Sequence, residues 1–337
     1  MLVRRWIEPR PKSKRLWLPR ILPPVSTKAL SPSVAAGFVR AATRRRRALT
    51  PVILMLAPSL VVLLSISIYP VFRGIWLSFR NTSLIFQTDA FVGFDNYSAM
   101  LADSKFWNAW RNTLIFTVSS TAFETVLGLL MALILFETFG GRGWVRASML
   151  VPWAIPTVVT SKMFAWMFDG QNGVVNYVLR TVGLISGNIN WYGSADHALL
   201  TIVIADVWKT TPFMALLLLS GLQTIPGSLG EAARIDGASE LQYFWSIRLP
   251  LLAPTLLIAA LFRALDAFRI FDLVYVLTGG GPADATEVLS TLTYKTLFSA
   301  LQFGPGSALA SAIFFTEMII AFCFGVAVTR KIKAVNR

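Results

Sequence analysis

Six long apolar stretches separated by short polar segments set the pattern of residues along the chain. The stretches occur near residues 52–79, 112–136, 147–168, 198–222, 251–277 and 307–329. Each can cross the roughly 30 Å hydrocarbon core of a bilayer as an α-helix, and no alternating strand pattern is present. The pattern therefore predicts an all-α membrane protein with six transmembrane helices. The third stretch contains Pro152 and Pro156, which predict a kink.

The polar insert at residues 223–250 separates the fourth and fifth apolar stretches. It contains two Ser-x-x-Glu/Gln patterns, beginning at Ser228 and Ser239, that are typical of capping boxes at helix starts. Gly237 between them predicts a tight turn, and Pro250 is expected to stop the second helix before the next span. The insert therefore predicts two short helices joined by a turn at the membrane surface.

The composition supports a membrane location, since 55% of the 337 residues are hydrophobic and only 14% are charged, against about a quarter in ordinary globular domains. The net charge of +14 does not indicate nucleic-acid binding, because residues 1–50 alone carry a net charge of +12. These residues form a basic, Pro-rich tail that we expect to be disordered. Its Arg44–Arg47 run directly precedes the first span, which predicts a cytoplasmic N-terminus held against anionic lipid.

The distribution of positive residues also orients the rest of the chain. Arginines and lysines recur at positions 142 and 146, at 234 and 248, and at 330–333. With six spans these positions fall on the same side as the N-terminus. We therefore expect a six-helix transmembrane domain over residues 51–337, with both termini and the insert at 223–250 in the cytoplasm.

The sequence carries no signature of catalytic chemistry. It contains no Gly-x-x-x-x-Gly-Lys-Ser/Thr phosphate loop, so the chain is not expected to hydrolyse ATP. His197 is its only histidine and Cys323 its only cysteine, which leaves no basis for a catalytic triad, a disulfide or a histidine- and cysteine-rich metal site. We therefore predict no enzyme activity, no cofactor and no metal in this chain.

Charged residues inside the apolar stretches are candidates for function, because a charge at the bilayer centre costs at least about 2.5–3.5 kcal/mol and needs a partner or a cavity. On an uninterrupted helix through 251–277, Arg263, Asp266, Arg269 and Asp272 alternate in sign at three-residue spacing. Successive members can pair while the ladder winds around the helix, so all four cannot line one pore. Two interpretations stay open: a structural ladder that ties helices together, or contact with a solute.

A second polar cluster, which also contains aromatic residues, lies in the fourth stretch and comprises Asp206, Trp208, Lys209, Thr210 and Phe213. Counted from the outer helix ends at about 1.5 Å per residue, Asp206 and Lys209 lie at a depth similar to that of Asp266 and Arg269, so the two groups can meet in one cavity. Such a cavity would suit a neutral polyhydroxylated solute, because sugar rings stack on aromatic faces while their hydroxyls bond to fixed polar groups. The alternative is that the aromatics pack against lipid or neighbouring helices.

Several motifs resemble those of one family. Glu231-Ala232-Ala233, Gly237 after three further residues, and Ile247-Arg248-Leu249-Pro250 after nine more match every fixed position of the EAA loop of permease subunits in ATP-binding-cassette (ABC) importers. Further segments are similar to sugar-importer permeases of the maltose and trehalose type, namely Phe94–Tyr97, Asn112-Thr113, Val151-Pro152, Val207–Phe213 and Phe271–Pro282. The likeness covers about residues 48–330. Over Trp208–Phe213 and Asp266–Thr278, the chain most resembles the first permease of actinobacterial trehalose importers.

The resemblance implies roles for individual residues. The residues implied to couple transport to the ATPase, by fitting a cleft in that subunit, are Glu231, Ala232, Ala233, Gly237, Leu249 and Pro250. The residues implied to contact the solute are Lys209, Thr210, Phe213, Arg263 and Asp266. At positions 263 and 266 this chain carries charged residues, where maltose permeases carry small or amide residues.

The resemblance also implies a type I ABC importer permease in the bacterial cell membrane. Its implied partners are a second, homologous permease, a dimer of ATPase subunits that bind ATP and Mg, an extracytoplasmic sugar-binding protein and membrane lipid. Nucleic acid is not among them. The expected solute is a disaccharide such as trehalose or maltose. A glycerol-phosphate-type or other polar solute, or a secondary transporter, are the alternatives.

Overall fold

The computed structural model describes residues 54–137 and 139–335, so the basic tail predicted at residues 1–50 lies outside the described part of the chain. The described residues divide after Ser67 into two units. The described part of the first unit is helical and carries large exposed apolar side chains, such as those of Leu54 and Met55. The second unit contains every candidate site residue named above.

The described residues contain a two-stranded sheet and twelve helices, the eleventh of which is continued by a π-helical turn at Lys295–Ser299. In chain order they are α1 (Leu54–Ser78), β1 (Arg80–Ser83), β2 (Thr88–Phe91), α2 (Asp95–Ala102), α3 (Ser104–Phe136), α4 (Arg142–Ala154), α5 (Thr157–Met167), α6 (Val174–Thr181), α7 (Ala195–Leu222), α8 (Gly227–Ile235), α9 (Glu240–Phe268), α10 (Asp272–Leu277), α11 (Leu289–Tyr294) and α12 (Phe303–Val335). The described residues are predominantly helical, but the predicted all-α fold did not include the hairpin of β1 and β2.

Five of the described helices are long and apolar enough to cross a membrane, namely α1, α3, α7, α9 and α12. The third predicted span is instead divided into α4 and α5, because Ile155 leaves the helical conformation with φ −70° and ψ 132°. The following residue, Pro156, favours this extended conformation in the residue before it. Pro152 lies inside α4. The predicted kink is therefore a break between two helices, located at Pro156.

Helices α3 and α7 pack closely along their lengths, and α9 packs against both. The close approach depends on Gly128 of α3, where a Cβ atom would lie 2.6 Å from Cγ of Met214 on α7. One apolar cluster of the core surrounds Phe116 and Ile202, and a second surrounds Leu135 and Leu218. Along α3 and α7, a layer of buried polar residues separates the two clusters.

Helix α9 does not stop at Pro250, contrary to the expectation from sequence. A π-helical turn at Phe244–Arg248 comes just before the proline, and the helix continues to Phe268. Pro250 occupies the first turn of the α-helical part that follows the π turn, where a missing N–H costs little. The second helix of the polar insert is thus continuous with the next apolar helix.

The connection between α1 and α3 is built from short elements that the sequence pattern did not predict. Strands β1 and β2 form an antiparallel hairpin, across which Nε of Arg80 donates to Oδ1 of Asp89 at 2.7 Å. This hydrogen bond is the main cause of the lowered pKa of Asp89. Nδ2 of Asn96 donates to the backbone oxygens of Ser78 and Arg80. The Phe94–Tyr97 motif therefore holds α2 against the end of α1.

Candidate functional site

Two breaks in the helices line one cavity of about 270 Å³. The first break lies between α4 and α5 and contributes Trp153 and Thr157. The second lies between α9 and α10, where the helix ends at Phe268 and restarts at Asp272. The residues of this break and the first two residues of α10, together 269–273, line the cavity. Asp206, Lys209 and Thr210 from α7 and Asp266 from α9 complete the lining. Asp206 and Lys209 therefore meet Asp266 in one cavity, as predicted.

The break after Phe268 overturns one premise drawn from the sequence. An uninterrupted helix would place Asp266 and Asp272 on different faces, but in the structure both residues line the same cavity, as does Arg269. Arg269 pairs with Glu317 of α12, with Nε 3.3 Å from Oε1, rather than with its neighbours in the sequence. Of the successive ion pairs predicted along the ladder, only that between Arg263 and Asp266 forms, with NH1 and Oδ2 2.6 Å apart.

Arg263 lies behind the cavity wall, with a side chain only 2% exposed. Its guanidinium forms ion pairs with Glu124 of α3, with Asp206 of α7 at 2.9 Å, and with Asp266. Ser120 accepts a further hydrogen bond from the guanidinium at 3.2 Å. One arginine thereby ties α3, α7 and α9 together through three carboxylates.

Two other predicted solute contacts are also engaged inside the protein. Nζ of Lys209 donates to the backbone oxygen of Ile155 at 2.9 Å and to that of Trp153 at 3.4 Å, at the α4–α5 break. The hydroxyl of Thr210 lies 2.6 Å from both Oε1 of Glu124 and the backbone oxygen of Asp206. Both side chains line the cavity while satisfying polar groups of neighbouring helices.

Aromatic rings flank the charged wall of the cavity. Trp153 and Phe271 line it directly. Phe213 does not line the cavity but stacks on Trp153, with ring centroids 5.8 Å apart and planes 15° from parallel. Trp208 packs against Phe164. The prediction that Trp208 and Phe213 border the cavity is therefore wrong, because both rings pack against aromatic residues of neighbouring helices, and Trp153 and Phe271 provide the aromatic faces instead.

The polar insert forms two helical segments joined at Gly237, as predicted. Gly237 has φ +80°, a conformation that L-residues with a side chain adopt with strain. The Ser239 capping box is formed with Gln242, whereas α8 begins at Gly227 and Ser228 makes no cap. The carboxylate of Glu240 bonds to Arg234 across the turn at 2.8 Å and raises the pKa of Arg234.

The insert presents an exposed surface, and its base, formed by Tyr243 and Arg248, is packed against Phe136 of α3. Ile235, Leu241 and Trp245 are 86%, 68% and 60% exposed. Glu231, Ala232, Gly237 and Pro250 are exposed, Leu249 is half-buried, and Ala233 is buried. At the base, the guanidinium of Arg248 lies over the rings of Tyr243 and Phe136. The base thus joins the insert to the end of α3.

Comparison with known proteins decides the family. Residues 124–334 match the model of the binding-protein-dependent transport system inner membrane component. The chain belongs to this family. It is 44% identical over 261 residues to the trehalose/maltose transport system permease protein MalF of Thermococcus litoralis, a match that covers 77% of this chain and 88% of that protein. It is 40% identical over 272 residues to the trehalose transport system permease protein SugA of Mycobacterium tuberculosis, covering 80% and 86%.

The fold of this permease is also found in a solved transporter. It matches a chain of the bacterial ABC transporter involved in the import of the acidic polysaccharide alginate with a TM-score of 0.75 and 21% identity, covering 86% of this chain and 99% of that chain. The predicted type I ABC permease fold, multi-pass membrane location and role as a transport subunit rather than an enzyme are therefore confirmed.

The sequence leaves solute contact open for Arg269 and Asp272 as members of the charged ladder, but it does not assign Glu124 or Trp153 to the solute site. In the sequence Glu124 stands out only as a charge in an apolar stretch, and its partners on other helices, Thr210 and Arg263, lie 86 and 139 positions further along the chain. The position of Asp272 depends on the break after Phe268, which has no proline or glycine to mark it. The charge itself was the only signal available.

Proposed function

We propose that this chain is one of two permease subunits of an ABC importer for a neutral disaccharide of the trehalose or maltose type. The cavity between α7 and the α9–α10 break carries this proposal. Its wall offers carboxylates and cations as hydrogen-bond partners for hydroxyls, and Trp153 and Phe271 as apolar faces for a sugar ring. Two similar permeases belong to a trehalose/maltose transport system and a trehalose transport system, which supports the same class of solute.

The charges of the cavity favour an uncharged solute over a phosphorylated one. Among the described residues, the cations that line it are Lys209 and Arg269. The first is held by two backbone oxygens and the second by Glu317. An anionic group would face three carboxylates, Asp206, Asp266 and Asp272, against these two cations. A glycerol-phosphate-type solute is therefore the second candidate for the transported molecule.

We place six crossings in the membrane, with α4 and α5 together forming the third. At about 1.5 Å per residue, residues 142–167 can span roughly 30 Å of hydrocarbon despite the break at Pro156. Lys209 supports this arrangement because it satisfies backbone oxygens that the break exposes. Six crossings leave both termini and the insert at 223–250 in the cytoplasm, with residues 1–50 as a separate basic tail.

The insert is the proposed coupling loop, through which an ATPase subunit drives the permease. Its exposed apolar side chains and the small residues Ala232 and Gly237 suit close docking of another protein. Leu249 and Pro250 lie where the loop passes into α9, so a force on Glu231 or Ala233 is transmitted to a helix that lines the cavity. ATP and Mg would be bound by the partner ATPase dimer.

The remaining partners follow from the proposed importer. A second permease supplies the other half of the pathway, and an external binding protein delivers the sugar.

The test is uptake of radiolabelled trehalose and maltose into proteoliposomes that contain the four-subunit complex and the loaded binding protein. Wild-type protein should transport at least one sugar in an ATP-dependent manner. Asp266→Asn should reduce uptake about tenfold, because a positioned charged acceptor is lost.

Two controls make this test specific. Asp95→Asn alters an exposed carboxylate in α2, away from the cavity, and should transport normally. Glu231→Lys should abolish uptake while leaving membrane insertion intact, because it reverses a charge on the docking surface. A wild-type complex that moves neither disaccharide, or an Asp266→Asn complex that moves both at the normal rate, would overturn the proposed function.

A further inference from the structure

The buried position of Arg263 is unusual for a charge in a transport pathway. Its guanidinium is enclosed by Glu124, Asp206, Asp266 and Ser120, and its exposed fraction is only about 1%. Every one of its terminal nitrogens donates to one of these groups. Arg263 does not itself line the cavity, whereas its partners Asp206 and Asp266 do.

Asp266 has the opposite character. Its side chain is 66% exposed and lines the cavity, but one oxygen, Oδ2, is held by NH1 of Arg263 at 2.6 Å. The residues lie three positions apart on α9, so the same helix carries both partners. Arg263 is fixed in turn by Glu124 on α3 and Asp206 on α7. The carboxylate of Asp266 is thereby held in one direction by a network anchored on three helices.

We propose that Arg263 is a positioning residue that sets the sugar specificity of the pathway by holding the Asp266 carboxylate toward the solute. The inference rests on the proposed function and assigns Arg263 an indirect role in place of direct contact. A carboxylate with one oxygen fixed presents its other oxygen in a defined direction, which suits a particular hydroxyl of the sugar. The guanidinium suits this role because its five N–H donors lie in a rigid planar fork that fixes the direction of each carboxylate, whereas an ammonium is a compact charge with rotatable donors.

A purely structural role of the network makes a different prediction. If Arg263 only holds α3, α7 and α9 together, its replacement should harm every sugar equally and should add to the effect of changing Asp266. If it acts through Asp266, its replacement should have little further effect once that carboxylate is gone. The two roles are therefore separated by a double-mutant cycle on transport.

The experiment compares wild type, Arg263→Lys, Asp266→Asn and the double variant in the complete importer. Initial uptake of trehalose and of maltose is measured with saturating loaded binding protein, and the melting temperature of each complex is recorded. We expect each single variant to lose about tenfold in the rate of the preferred sugar and to change the trehalose-to-maltose ratio. The double variant should lie within about twofold of Asp266→Asn.

Two results would overturn the proposal. One is an additive loss of about a hundredfold in the double variant, and the other is an unchanged sugar ratio in Arg263→Lys. If Arg263→Lys does not assemble, Glu124→Gln replaces it in the double-mutant cycle, because this variant weakens the contact that anchors the guanidinium. An additive loss or an unchanged sugar ratio would then overturn the proposal in the same way. A wild-type complex that transports neither sugar contradicts the proposed function instead, before any variant is compared.

Discussion

Nζ of Lys209 lies 2.9 Å from the backbone oxygen of Ile155, so a side chain of α7 satisfies the end of α4 where Pro156 breaks the helix. This contact explains why a lysine is tolerated at 9% exposure in an apolar helix. Its ammonium supplies hydrogen-bond donors to carbonyls that would otherwise face a low-dielectric environment. The same ammonium lines the cavity, so the break and the pathway are physically connected.

Lys209→Met should destabilise the complex by removing this support. Leaving two carbonyls less well satisfied is expected to cost about 1–3 kcal/mol, which should lower the melting temperature of the assembled permease. Lys162→Met is the matched control, because Lys162 is exposed on α5 and forms no hydrogen bond within the described residues. Equal melting temperatures for the two variants would show that the contact with Ile155 contributes no stability.

The sequence predicted the cavity better than it predicted the helix ends around it. Apolar length and intramembrane charge located Lys209 and Asp266, because both signals are local to one helix. The end of α9 at Phe268 depends on packing against other helices and has no local breaker in the sequence. Likewise, the ion pairs of Arg263 with Glu124 and Asp206 join positions far apart in the chain, which a single sequence does not pair.

Asp272→Asn should alter transport rather than assembly, because Asp272 lines the cavity instead of lying on a second face of α9. We expect a severalfold lower rate of disaccharide uptake with a normal yield of the complex. The measurement is initial uptake in proteoliposomes, normalised to the amount of assembled permease. Asp95→Asn again serves as the exposed control. A poor yield with normal uptake per complex would restore the structural interpretation.

Gly237→Val should weaken the proposed coupling loop. The residue has φ +80° and open space around it, so the conflict is in the backbone and not in packing. A β-branched side chain is expected to make this conformation unfavourable by about 1–3 kcal/mol, which should loosen the association of the ATPase measured by co-purification. Gly227→Ala is the control, since that glycine also has open space but lacks a positive φ. Similar ATPase recovery from both variants would argue against a docking role for the turn.

Gly280→Ala should disrupt the connection between α10 and α11. Gly280 has φ +93°, and a Cβ atom there would lie 2.8 Å from Cδ of Glu287 and 2.9 Å from Nζ of Lys295. Glu287 is 2% exposed and pairs with Lys295 at 2.5 Å, so neither group can move aside without leaving a buried carboxylate unpaired.

The backbone conformation at Gly280 alone is expected to cost about 1–3 kcal/mol, and displacement of the ion pair should add to it. The variant should therefore melt at a lower temperature than Gly187→Ala, which places a methyl group in open space. The connection also receives hydrogen bonds from Asn108 and Asn112 of α3, so the damage should extend to the outer end of that helix. Hydrogen exchange at residues 104–113 measures this directly, and unchanged protection there would show that the connection and α3 are independent.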